Sequence, residues 1–237
     1  MSQRQVTLVH TSDVHIDDDV NTGRRSGLDG LLKTFAKATA ISADVVLLAG
    51  DTFDNHRISV DVLRRAADVI AGAAVPVVLL PGNHDSIMPD CLFTKAGLVG
   101  MPRIHVLGVT ERESVLFRDL DVEICGRPRR GFDDDLVFDL ARRKTTRWQI
   151  VMAHGHYVAP DEWDEQPRRS WRFGDRDLQA TGADYVALGH WDRAAQAGDG
   201  QPPAYYSGSP DHAGTVNVVR LRADSGVQVS REPLDWS

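Results

Sequence analysis

Asp44-Val-Val-Leu-Leu-Ala-Gly-Asp51-Thr-Phe-Asp54 decides the fold. Its short apolar run with two adjacent valines predicts a strand covered on both faces, as in a parallel sheet. Gly50 breaks the run and delivers Asp51 at its carboxyl end, the edge where open α/β sheets bind ligands. The pattern recurs along the sequence. Val6-Thr-Leu-Val-His-Thr-Ser runs into Asp13-Val-His15, and Val75-Pro-Val-Val-Leu-Leu-Pro into Gly82-Asn-His-Asp85. Gln149-Ile-Val-Met-Ala runs into His154-Gly-His156, and Asp184-Tyr-Val-Ala-Leu-Gly into His190-Trp-Asp192. Five apolar strands that end in Asp, Asn or His predict a metal site along one edge of a sheet.

Between these strands the apolar spacing turns helical over residues 28–41 and 60–71, giving strand–helix–strand crossovers and a parallel sheet at the heart of the fold. A short helix is expected near residues 91–98. Residues 104–107, 115–117 and 122–125 read as strands of a second sheet, and 132–143 as a helix. Residues 157–173 read as a long polar loop, followed by a helical turn at 175–181. The strand candidates 204–206, 216–221 and 227–230 have the alternation of an antiparallel edge. With no internal repeat or linker, residues 1–237 are expected to form one catalytic domain without a separate cap.

Composition narrows the class. The net charge of −7 over 237 residues argues against a surface coated with phosphate-binding charge. Only four of the 27 basic residues are lysine. Arginines gather at Arg127-Pro-Arg-Arg130, at Arg142-Arg-Lys144 and at Arg168-Arg169. Such groups are either solvated faces or bidentate phosphate contacts. No apolar run approaches the roughly 20 residues of a bilayer span. Met-Ser-Gln-Arg-Gln leads straight into the first strand, which leaves no signal peptide. Cys91 and Cys125 form no close-spaced pair, so neither disulfides nor a thiolate metal site is expected. The expected compartment is the cytoplasm, without membrane contact.

The residues at the strand ends define a chemistry. Two apart in extended backbone, Asp13 and His15 can grip one ion together, as can His190 and Asp192. Asp51 can bridge two cations with its two oxygens. The expected shells are Asp13, His15, Asp51 and Asp192 around one ion, and Asp51, Asn83, His154 and His190 around the other. Mixed oxygen and nitrogen ligation suits Mn, Fe, Zn, Co or Ni. Two divalent ions about 3.5–4 Å apart polarise a phosphoryl oxygen and generate a hydroxide for in-line attack, so phosphoester hydrolysis is the expected reaction. His84 would act as proton donor or transition-state stabiliser, with Asp54 holding its tautomer. His156 either lines the site or packs behind it. Trp163 and Trp171 lie near Arg168, Arg169 and Arg172, where they would stack a base and hold its phosphate, or pack the loop upon itself. His10 and His105, inside apolar strands, read as core.

The series Asp13-Val-His15, Gly50-Asp-Thr-Phe-Asp54, Gly82-Asn-His-Asp85, His154-Gly and Gly189-His190 resembles the calcineurin-like metallophosphoesterase superfamily, over about residues 6–212. Within it, His10-Thr-Ser-Asp-Val-His15, Tyr185-Val-Ala-Leu-Gly-His190 and Tyr206-Ser-Gly-Ser-Pro210 are most similar to the SbcD-type DNA-repair exonucleases. The resemblance implies an α/β fold, a two-sheet αββα sandwich, with two metals, usually Mn in the nuclease branch, and phosphodiester or phosphomonoester hydrolysis. This sequence departs from that pattern twice. Asp192 stands where Gly-His-x-His is usual, and little sequence follows Pro210 to supply a DNA-binding cap or an ATPase-docking segment. The expected activity is phosphodiester hydrolysis on a nuclease-like core, with single-stranded nucleic acid or a nucleotide as substrate. The alternatives are a small-molecule diesterase or monoesterase, acting on a cyclic nucleotide or nucleotide conjugate, and a non-catalytic metal-binding scaffold. Intact His84 favours the enzyme.

Overall fold

The computed structural model describes residues 4–18, 25–131, 134, 137–138, 144–163 and 171–237. The fold begins with β1 (Val6–Thr11), α1 (Gly27–Ala40), β2 (Val45–Ala49), α2 (Val60–Ala71), β3 (Val77–Leu80) and α3 (Leu92–Lys95). It continues through β4 (Ile104–Val106), β5 (Ser114–Phe117), β6 (Val122–Gly126) and β7 (Trp148–His154). Next come β8 (His156–Tyr157), β9 (Arg172–Phe173), α4 (Asp175–Ala180) and β10 (Tyr185–Gly189). The last elements are β11 (Ala195–Ala197), β12 (Ala204–Tyr206), α5 (Pro210–Ala213), β13 (Thr215–Arg222) and β14 (Gly226–Pro233).

Two six-stranded sheets result, in the orders β14-β13-β1-β2-β3-β4 and β11-β12-β10-β7-β6-β5. Side-chain alternation makes them two layers of a sandwich. From β2, Val45, Leu47 and Ala49 enter the core between the sheets, where they join Ile150, Met152, Tyr185 and Ala187. Val46 and Leu48 point the other way, toward Leu31 and Phe35 of α1 and Leu63 and Ile70 of α2. The far face of the second sheet packs Val151, Val186 and Leu188 against Phe173 and Leu178. Strands buried on both faces explain the unbroken apolar runs in the sequence. α1 and α2 start at Ser26 and Ser59, whose side chains accept from Asp29 N–H and Val62 N–H.

The expected α/β sandwich is present, with differences in strand assignment. β4 lies beside β3 in the first sheet, parallel to it, and only β5 and β6 join the second. β12 pairs parallel with β10 rather than extending an antiparallel edge, whereas β13 and β14 are antiparallel as expected. The loop of 157–173 carries strand pairing at its ends, between β8 and β9. The helix expected at 132–143 falls largely outside the described residues. His10 is a core residue, its Nε2–H donating to Leu188 C=O and its Nδ1 facing the Tyr185 hydroxyl. Burial pulls its pKa to about 3, so it stays neutral. His105 is half-buried at the sheet's end and faces Glu111 at 3.0 Å. Among the described residues no helix is long and apolar enough to cross a membrane.

Candidate metal centre and substrate cleft

The site is built where strand ends of both sheets meet, not along one sheet's edge as expected. β1, β2 and β3 deliver Asp13, Asp51 and Asn83, while β7 and β10 deliver His154 and His190 from the other layer. The ladder between β1 and β2 continues into the loops, with Asp13 N–H to Gly50 C=O and His15 N–H to Asp51 C=O, both 3.0 Å. Asp13, His15 and Asp51 have φ of 52°, 48° and 50°, and His190 has 112°. Turns through left-handed backbone, rather than the alternation of an extended strand, therefore aim these side chains. Each such non-glycine residue costs on the order of 1–3 kcal/mol, a strain that concentrates at functional sites. Gly50 (φ 95°) completes the crossing of the layers, because a Cβ there would lie 2.0 Å from His154 Nδ1.

Two groups of ligand atoms gather among the described residues. Asp13, Asp51 and His154 are buried together, and His15, Asp51 and His84 form the second group toward solvent. Asp51 belongs to both, as a bridging carboxylate must. His154 Nε2 lies 3.1 Å from Asp51 Oδ2 and 3.1 Å from Asn83 Oδ1. Ligand atoms about 2.1 Å from one ion and at right angles are about 3.0 Å apart, so this spacing fits a shared cation. Buried charge fits too. Burial raises the pKa of Asp13, and Asp51 beside it adds to the rise against the pull of His154. Burial lowers His154, but Asp51 outweighs it and lifts the imidazole to about 9. Burial would also raise Asp51, yet His154 holds it below the ordinary carboxylate range. A carboxyl pushed upward beside an imidazole pushed upward is the response of a buried cluster short of positive charge. Divalent cations would favour the ionised carboxylates and neutral His154 that ligation requires.

Neighbouring groups orient the imidazoles. His154 Nδ1–H donates to Ala49 C=O at 2.9 Å, which turns Nε2 toward Asp51. His15 Nδ1 contacts Asp54 Oδ1 at 3.0 Å, the carboxylate–histidine pairing common behind metal ligands. Asp54 was expected to orient His84 through its carboxylate, but that distance is 3.8 Å. It is the backbone C=O of Asp54 that accepts from His84 Nδ1, at 2.6 Å. His84 N–H in turn donates to Asp51 Oδ1 at 2.9 Å. The His84 side chain is 42% exposed, open to a substrate.

Sequence reasoning left two supports unassigned. Asp85 is fully buried and accepts from Gly82, Thr52 and Phe53 N–H, tying the β2 and β3 loops together. Burial and the charge of Asp51 push its pKa up to about 7. Ser12 Oγ donates to Asp13 Oδ2 and meets Ser207 Oγ at 2.9 Å, which is how the Tyr206–Pro210 run reaches the site. The signals were present in Gly82-Asn-His-Asp85 and Tyr206-Ser-Gly-Ser-Pro210, without a hint of which loop each would clamp.

Two cavities flank the ligands. One of about 380 Å³ is lined by Asp54, Asn55, His56, Arg57, Asn83, His84, Arg129 and Trp171. The other, about 480 Å³, is lined by His156, His190, Trp191, Asp192, Arg193 and His212. Trp191 Nε1–H donates to His156 Nδ1, leaving the hydrogen of a neutral His156 on Nε2. His190 packs edge-on against His154 and Trp171. Asp192 is exposed and belongs to neither ligand group. Trp171 carries the Arg129 guanidinium over its ring, and Trp163 carries that of Arg172, so the second pair packs the loop upon itself. Arg168 and Arg169 lie outside the described residues.

Two stacked sheets between helices, with aspartate, asparagine and histidine converging from both, define the sandwich of a metal-dependent phosphoesterase. The calcineurin-like phosphoesterase family pattern matches residues 6–193, and the chain belongs to that family. It is 31% identical over 88 residues to a Fibrobacter succinogenes protein named "Probable cyclic nucleotide phosphodiesterase". That alignment covers 37% of this chain and 34% of the relative, so the match spans about a third of the relative's length. The fold is similar to a crystal structure from Thermus thermophilus, with TM-score 0.63 and 12% identity over 98% of this chain and 100% of that one. It is also similar to the purple acid phosphatase of yellow lupin, with TM-score 0.63 and 13% identity over 98% of this chain and 52% of the other.

Proposed function

We propose that this chain is a dinuclear metal-dependent phosphodiesterase for small, nucleotide-like diesters. The observation that carries the proposal is the pair of cavities flanking the ligands, one beside His84 and the other beside His190. A phosphate at the ligands would have room for an organic arm on each side, which a monoester does not need. Each cavity is of a few hundred Å³, the range of small-ligand pockets. The alignment with the Fibrobacter succinogenes protein supports the same substrate class.

In this reading Asp13, His15 and Asp51 hold one ion, and Asp192, in the cavity beside His190, is the candidate for its fourth ligand. Asp51, Asn83, His154 and His190 hold the other. Mn is the first candidate, and Fe, Zn, Co and Ni suit the same donors. Bound there, the ions would supply Lewis acidity toward a phosphoryl oxygen and acidify a water. The protein's own residues do the rest. Asp54 C=O keeps the Nδ1 hydrogen of His84 engaged, so Nε2 is the nitrogen that delivers a proton to the leaving oxygen. Asp85 and Ser12 keep Asp51's loop and Asp13 fixed while charge develops.

A second reading, an SbcD-type nuclease on single-stranded nucleic acid, rests only on the sequence likeness of Tyr206-Ser-Gly-Ser-Pro210, whose Ser207 Oγ meets Ser12 Oγ. A non-catalytic scaffold would not need His84 turned into a cleft. The test is turnover by Mn-loaded protein of cyclic nucleotides, bis(p-nitrophenyl) phosphate, phosphomonoesters and single-stranded DNA. Small diesters should be hydrolysed fastest. Hydrolysis of monoesters alone, or of DNA alone, would overturn the proposal.

A further inference from the structure

The cavity beside His190 has a wall fixed by packing and a rim that carries positive charge. Trp191 lies flat on Tyr206, with ring centres 4.4 Å apart and planes 7° from parallel. Tyr206 is fully buried, donates its hydroxyl to Gly155 C=O at 2.7 Å and accepts from Tyr157 N–H at 2.8 Å. The segment after it folds back on the residues that follow β10. Gly208, at φ 74°, passes so close that a Cβ there would lie 2.8 Å from Ala194 N and from Asp192 O. Ser209 N–H donates to Asp192 C=O at 3.1 Å, and α5 starts at the next residue. This fold-back brings His212, on α5, to the same cavity as Arg193. From the other side, Arg231 Nη2–H donates to Ala194 C=O at 3.0 Å. The backbone on both sides of Arg193 is therefore held.

Arg193 and His212 are exposed, and neither side chain has a hydrogen-bond or ion-pair partner among the described residues. Elsewhere on this acidic chain Arg4, Lys144 and Arg220 meet Asp44, Asp184 and Glu232. A guanidinium presents a fork of N–H donors that matches phosphate oxygens, and an imidazole supplies an N–H in either charge state. The carboxylate that shares the cavity, Asp192, is the candidate ligand of the first ion, so the ion rather than Arg193 is its counter-charge. We propose that Arg193, assisted by His212, is a specificity-determining residue that binds a second phosphate on the substrate. His84 lines the first cavity and gives its proton to the leaving oxygen, so the leaving arm lies there. The arm that stays on the phosphorus lies beside His190, and this arm carries the second phosphate. The proposal deepens the phosphodiesterase reading and rests on it: the substrate class becomes a nucleotide diester phosphorylated on the retained nucleoside.

Calorimetric titration of the Mn-loaded protein with thymidine 5′-monophosphate and with thymidine 3′,5′-bisphosphate tests this by binding alone. The bisphosphate should bind about tenfold tighter, the low end for charge-assisted hydrogen bonds because Arg193 is exposed. Arg193→Gln should bring the two affinities together, and Arg193→Lys, which keeps the charge but not the planar fork, should fall between. His212→Ala should shrink the difference without abolishing it. Equal affinities in the wild type, or a difference that survives intact in Arg193→Gln, overturn the assignment. A 5′-phosphorylated thymidine dinucleotide, whose second phosphate continues into another nucleoside, should bind more weakly than the bisphosphate. Tighter binding of the dinucleotide would put a nucleic-acid strand in the cavity and overturn the substrate class. A preference for the bisphosphate that depends on Arg193, without hydrolysis of any diester, would leave the role of Arg193 in place and overturn the phosphodiesterase reading instead.

Discussion

Removing the Asp54 carboxylate separates two roles that share one loop. Asp54 Oδ1 lies 3.0 Å from His15 Nδ1 but 3.8 Å from His84 Nδ1, while its backbone C=O holds His84 at 2.6 Å. Asp54→Ala therefore leaves the His84 contact intact and frees His15 to turn. Loss of such a partner behind a metal-ligating histidine costs about 10–100-fold in metal affinity, or about 1.4–2.7 kcal/mol. The lower end is the better expectation, because the Asp54 side chain is 38% exposed and water can replace part of the contact. The ion held by Asn83 and His154 should be unaffected. Titration of metal-free protein with Mn should thus show one site weakened about tenfold, the other unchanged, and kcat near wild type once Mn saturates. Wild-type affinity at both sites with a large fall in kcat would refute this, showing that the carboxylate acts on His84 after all.

Three other outcomes follow from the same geometry. Gly50→Ala puts a methyl 2.0 Å from His154 Nδ1 and strains a φ of 95°, costing about 2–4 kcal/mol, or a Tm loss of about 4–16 °C by calorimetry, and releasing the ion that His154 holds. His84→Ala should lower kcat about 10²–10⁴-fold while sparing metal content by elemental analysis; loss of an ion would make it a ligand. In metal-free protein the folded pKa of His154, about 9, lies above its ordinary 6.5. Its contribution to stability is therefore complete below pH 6.5 and lost as pH rises toward 9. Tm of the metal-free protein should fall across that window, and the Mn-loaded protein, with His154 neutral throughout, should lack this fall.

The β2 run was legible because burial on both faces leaves no polar position in it. The five strand ends were legible because each apolar run stops at a ligand-capable residue. Strand pairing was not. Nothing local in Ile104–Val106 says that it lies beside β3 rather than with β5 and β6, and nothing in Trp148–His154 says that His154 approaches Asp51 from a second sheet. Loop conformation was equally hidden. The left-handed turns at Asp13, His15 and Asp51 decide that Asp54's carboxylate meets His15 and its carbonyl meets His84. Arg129 was one arginine among several until the fold placed Trp171 beneath it.

The central claim is that two cations bridged by Asp51 hydrolyse a phosphodiester. It is tested most directly by adding Mn stepwise to metal-free protein while following bis(p-nitrophenyl) phosphate hydrolysis and Mn bound per protein molecule. Two Mn should bind, and activity should rise chiefly with the second. Asp51→Asn, which weakens the bridge to both sites at once, should hold less Mn and remain inactive. Full activity at one equivalent, or Asp51→Asn with two Mn and normal turnover, would contradict it.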